Sequence, residues 1–153
     1  MGLRKPCQSL FFGDDDMNIH DHTSFLSKAA PETGAVTFSL SMPPSVNHCY
    51  IGIATGARIL SKEARAWIEE ASWVARTAAK VQRWKKTNGK WLICELTFYM
   101  KDRRKRDTHN YFKVLFDALE GVLYDNDYYI MPRVMKVEID RDNPRIELSL
   151  REA

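Results

Sequence analysis

Between Trp91 and Met100 the chain alternates, with Leu92, Cys94, Leu96, Phe98 and Met100 sharing one side and Glu95, Thr97 and Tyr99 between them. A period of two is the mark of a β-strand with a buried face. Cys94 falls on that face and is read as a small buried hydrophobe, not a nucleophile. The same period recurs in Val36, Phe38, Leu40 and Met42, in Met135, Val137 and Ile139, and in Ile146, Leu148 and Leu150. Pro43-Pro44 ends the first of these, because neither residue donates to a ladder. Tyr50 to Leu60 reads as two short extended pieces around Thr55-Gly56. Two stretches switch to helical spacing. Ser61 is placed to cap the first, whose apolar residues are Ala64, Trp67, Ile68, Ala71, Val74, Ala75, Ala78 and Val81. The second begins near Asp107 or Thr108, stops near Gly121, and carries Phe112, Leu115, Phe116, Leu119 and Val122 on one stripe. Strands and helices do not alternate on a regular beat. The order predicts an α+β fold, a small mixed sheet with two helices packed on one face.

Composition limits the class. Hydrophobic residues make up 44% and charged residues 28% of 153, the balance of a globular chain that buries a core without staples. Cys7, Cys49 and Cys94 are too far apart for a zinc knuckle or a disulfide scaffold, which points to a reducing, cytoplasmic setting. The longest stretch without formal charge, Thr33 to Ala57, holds Pro43-Pro44, Asn47 and His48 and is no membrane span. Residues 1–35 lack either period and carry Asp14, Asp15, Asp16, His20, Asp21 and His22. They read as a loosely ordered acidic tail before a domain at 36–153, since no framework supports a metal site there.

The tail is net −2 and the whole chain +3, so the domain is distinctly basic. Lys80, Arg83, Lys85, Lys86 and Lys90 form one cluster; Lys101, Arg103, Arg104, Lys105 and Arg106 form another. Such crowding is tolerated in water and suits a polyanionic partner. The second run leads directly into Asp107. At 100° per residue Asn110, Lys113 and Asp117 lie on the same side of the helix as Asp107, opposite the apolar stripe. Asp125 and Asp127 follow in a turn. Asp107 is also a good helix cap, and Asp125-Asn126-Asp127 are ordinary turn formers. Their convergence with a lysine and a basic run points further, to oxygen ligands for Mg²⁺ or Mn²⁺ beside a phosphate backbone.

Two segments carry a resemblance: P-P-S-V-N-H-C-Y (Pro43–Tyr50) and R-K-R-D-T-H-N-Y-F-K-V-L-F-D-A-L-E-G-V-L-Y-D-N-D (Arg104–Asp127). Together they resemble the RusA family of Holliday-junction resolvases, whose second motif runs approximately R-D-x-D-N-x-x-K, an F-D-A-L helix, then a D-D or D-x-D turn. The resemblance implies a homodimer that binds four-way DNA junctions and cuts two opposed strands with Mg²⁺ or Mn²⁺, encoded by a bacterium or phage. It implies Asp107, Lys113 and Asp127 as catalytic residues. Asp107 and Asp127 would hold the metal, with His109 or Asp125 supplementing. Lys101, Arg103, Arg104, Lys105, Arg106, Asn110 and Asn47 would contact DNA. His109 stands where the family has a second aspartate. Imidazole ligates Mn²⁺ better than Mg²⁺, so Mn²⁺ preference is one expectation. The alternative is a protein that keeps the junction-binding surface and cuts weakly or not at all.

A third reading, a generic RNA- or single-strand-binding domain, rests on Trp84, Trp91, Tyr128 and Tyr129 as stacking platforms. It is disfavoured because those rings are not interleaved with the Lys101–Arg106 run.

Overall fold

The computed structural model describes residues 34–52 and 56–153. Its elements are β1 (Ala35–Ser41), α1 (Val46–Cys49), β2 (Tyr50–Gly52), β3 (Arg58–Leu60), α2 (Lys62–Val81), β4 (Leu92–Met100), α3 (Phe112–Leu119), β5 (Ile130–Ile139) and β6 (Arg145–Glu152). The expected acidic tail falls almost wholly outside the described residues. β2 and β3 pair antiparallel as a small separate ribbon. The main sheet has the order β1-β6-β4-β5, with β4 and β5 parallel and the other neighbours antiparallel. The mixed α+β arrangement is the one anticipated, and α2 and α3 are the two helices.

Register explains why one face is apolar. Leu40, Ile146, Phe98 and Val137 lie in one row across the four strands, and Phe38, Leu148, Leu96 and Val134 in another. Three strands of each row are covered: Phe98, Ile146 and Leu148 are buried. α2 contributes an almost all-alanine face, Ala64, Ala71, Ala75 and Ala78, all buried, which brings its backbone close to its neighbours. Trp67 is the large anchor on that face, and its indole N–H donates to the carbonyl and hydroxyl of Ser41 at 3.2 and 3.0 Å. Ser61 caps α2 as its sequence suggests, accepting from the amide of Ala64 at 3.1 Å. Cys94 is fully buried, and burial pushes its thiol up to about 12, so it is inert at neutral pH.

The two sheet edges are treated differently. At β1 the Gln82 side chain imitates a further strand. Its Oε1 accepts from the Thr37 amide at 2.9 Å and its Nε2 donates to the Thr37 carbonyl at 2.6 Å. At β5 nothing among the described residues covers the edge, and Met135 and Val137 are 61% and 54% exposed. β5 is also longer than its alternation suggests. It starts at Ile130 and passes through Pro132, which an edge strand tolerates.

The second helix departs from its sequence reading in detail. Residues 108–111 form a 3-10 turn, and the α-helix proper runs only from Phe112 to Leu119. Gly121 ends it with φ +77°, a conformation that favours glycine. The following turn is pinned from several sides. The Tyr124 hydroxyl donates to the Phe116 carbonyl at 2.9 Å, and both the Trp84 indole and the Thr87 amide donate to the Leu123 carbonyl. This fixes where Asp125 to Asp127 emerge.

Candidate active site

Asp107 caps the start of the 3-10 turn. One of its carboxylate oxygens accepts from the His109 amide at 3.0 Å and lies 2.9 Å from His109 Nδ1. These two interactions, the amide first, hold the Asp107 carboxyl below the usual range. Both side chains are exposed, and the His109 ring rests against Phe112 at 5.0 Å between centroids. Asn110 is half-buried beside them.

One turn further on, Lys113 reaches Asp117 with Nζ 2.5 Å from its carboxylate. That bond is the main reason the Lys113 ammonium is held above its ordinary value, with Asp127 and Tyr50 adding smaller contributions. Asp117, Glu120 and Asp127 each offer an oxygen, and the three lie within 4.8 Å of one another. The i, i+3 spacing puts Asp117 and Glu120 on one face at the end of α3. The pinned turn brings Asp127 back to them. Asn126 fixes its rotation, accepting from the Tyr128 amide at 2.8 Å. Asp125 is turned away, and its carboxylate accepts from the Gly89 amide.

The structure therefore brings Lys113 and Asp127 into one group and leaves Asp107 with His109. Among the described residues, neither Asp107 nor His109 belongs to a three-ligand cluster. Asp117 and Glu120, and neither His109 nor Asp125, accompany Asp127 in this group. The signal for them was available: Asp117 was already on the polar side with Lys113, and Glu120 is three residues on. Three hard carboxylate oxygens, two of them on half-buried residues, fit Mg²⁺ or Mn²⁺ by donor chemistry. Asn47 is exposed on α1, which packs against α3 and the 3-10 turn, so the Pro43–Tyr50 segment adjoins the same region.

The basic run between β4 and Asp107 is shaped by its one acid. Asp102 accepts from the Arg104 amide at 2.9 Å and pairs with both terminal nitrogens of Arg106 at 2.7 and 3.0 Å. Arg106 is thereby held by both terminal nitrogens while the residue stays exposed. Lys101, Arg103, Arg104 and Lys105 remain exposed.

A family model described as Endodeoxyribonuclease RusA matches residues 42–151, more than two thirds of the chain. The chain belongs to the RusA family. The match runs from just past β1 into β6 and includes the whole of the carboxylate group, Lys113 and the basic run. With the family comes action on DNA as an endonuclease at Holliday junctions. No curated protein matches the chain. Among the described residues no helix is long and apolar enough to cross a membrane.

Proposed function

We propose that this RusA-family protein resolves four-way DNA junctions by paired phosphodiester cuts in opposed strands, as a homodimer that uses Mg²⁺ or Mn²⁺. The observation that carries the reading is the grouping of Asp117, Glu120 and Asp127 around one point with Lys113 bonded to its rim. Asp127, Asp117 and Glu120 would hold the ion. When bound, a divalent ion supplies Lewis acidity toward the phosphoryl oxygens and the attacking water. Lys113, already paired to Asp117, is positioned to stabilise charge that develops on the phosphate. Asp107 and His109 are taken as part of the same working face, on the strength of the family motif. Lys101, Arg103, Arg104 and Lys105 would neutralise backbone phosphates, fixing register without reading sequence. Arg106 would serve that loop mainly by shaping it.

The open edge of β5 supports the dimer. Antiparallel pairing of two copies centred on Val137 sets Met135 across from Ile139 and Lys136 across from Glu138. It would cover the apolar rows that the helices leave bare. In the single chain Lys136 and Glu138 already pair with each other, so the exchange conserves charge balance. Two active sites related by a twofold axis match the symmetry of a junction cut in opposed strands.

His109 in place of the family's aspartate favours one other reading, a junction binder that cuts slowly or not at all. Incubation with a synthetic four-way junction in Mg²⁺ and in Mn²⁺, read on a denaturing gel, separates the two. Symmetric nicks in opposed strands are expected. Binding without nicks in either ion would establish the non-catalytic reading.

A further inference from the structure

The cluster Lys80, Arg83, Lys85, Lys86 and Lys90 has no part in the site above, and neither do three aromatic rings that the fold brings together beside it. Trp91 immediately precedes β4, while Tyr128 and Tyr129 lead into β5, 37 and 38 residues later; parallel pairing sets Leu92 opposite Ile130 and so gathers the three rings at one end of the sheet. Trp91 lies 5.6 Å from both tyrosines, and the tyrosines are 5.2 Å apart. Trp91 is 48% exposed and Tyr128 69%. The turn that carries them is tied down by hydrogen bonds and an ion pair. Asn126 caps the turn at Tyr128, Asp125 ties that turn to Gly89, and Lys90 is braced by Glu152 at 2.7 Å. Trp84 has a different role: it is half-buried, with its N–H spent on Leu123.

Resting on the proposed function, we infer that Trp91, Tyr128 and Tyr129 form a stacking platform for an unpaired or splayed nucleobase next to the cutting site. Tyr128 follows Asp127 directly, so a base on the platform would belong to DNA whose phosphate lies at the carboxylate group. The adjoining loop carries Arg83, Lys85, Lys86 and Lys90 without an acid among them. Aromatic faces beside lysines are the mark of nucleic-acid contact, whereas protein interfaces are depleted in lysine. A four-way junction supplies unstacked bases at its branch point; a duplex does not.

The test compares Tyr128→Ala and Tyr128→Phe with the wild-type protein, for affinity toward a four-way junction and a duplex across a salt series and for oligomeric state by sedimentation. Tyr128→Ala is expected to weaken junction binding about tenfold, with little change for duplex and an unchanged salt slope, because stacking releases no counterions. Tyr128→Phe, which keeps the ring, should bind as wild type. Unchanged junction affinity in Tyr128→Ala overturns the inference, as does an equal loss in Tyr128→Phe. Conversion of a dimer to monomer by Tyr128→Ala would make the rings a subunit contact and also overturn it. Failure of the wild-type protein to bind junctions at all would instead defeat the proposed function.

Discussion

Asp127→Asn probes the carboxylate group most directly. Three carboxylates within 4.8 Å of one another, offset by the single ammonium of Lys113, repel at neutral pH. At that separation each pair costs about 1 kcal/mol in a water-like dielectric. Neutralising Asp127 removes two of the three pairs and loses some attraction to Lys113, so the metal-free protein should gain about 1 kcal/mol. For a domain of this size that raises Tm by about 3 °C. The response to metal should move the other way. Saturation of the wild-type site at a hundredfold excess over Kd contributes ~2.7 kcal/mol, and the variant, with one ligand and one charge fewer, should lose most of it. Thermal melts in chelator, Mg²⁺ and Mn²⁺ measure both effects. A variant that melts lower in chelator and keeps the full Mn²⁺ response would refute the grouping as a metal site.

Lys113→Ala should cut on the order of a hundredfold more slowly in single-turnover assays at saturating enzyme, with a nearly unchanged salt slope of junction binding; normal cutting with weak binding would reassign it to backbone contact. His109→Asp should leave the ratio of Mg²⁺- to Mn²⁺-supported activity unchanged, because residue 109 lies outside the Asp117, Glu120 and Asp127 group; a rise in the Mg²⁺ share would show that residue 109 reaches the ion. Val137→Asp places a charge at the centre of the proposed β5 pairing and should yield a monomer by sedimentation that no longer makes paired cuts; a dimer that cuts normally would move the interface elsewhere.

Much of the architecture was legible because it follows from periodicity. Leu92 to Met100 and Ile146 to Leu150 alternate and are the central strands, and Ser61 with Trp67 defines α2 at both the cap and the core. What failed to show was whatever depends on non-local closure. α1 is a single turn at Val46–Cys49, held by the carbonyl of Cys49 accepting from the Ser61 amide at 2.7 Å, and four residues carry no period. The alternation of β5 begins only at Met135, because Pro132 interrupts the pattern. Its early half exists because β4 offers a partner, not because its sequence demands a strand.

The candidate site divides along the same line. Helical spacing correctly placed Lys113 and Asp117 together, since neighbours one turn apart meet whatever the tertiary structure does. Whether a carboxylate beyond the helix returns to Asp107 or to Asp117 depends on how far α3 extends before the chain reverses. Gly121 sets that point at the foot of the helix, and Tyr124, bonded to the Phe116 carbonyl, holds the reversal tight. A tight reversal reaches the last turn of α3, not its beginning, so Asp127 meets Asp117 and Glu120 while Asp107 stays with His109. The same reversal delivers Tyr128 to Trp91. The reversal at Gly121 and Tyr124 thus sets both which acids gather and which rings adjoin them.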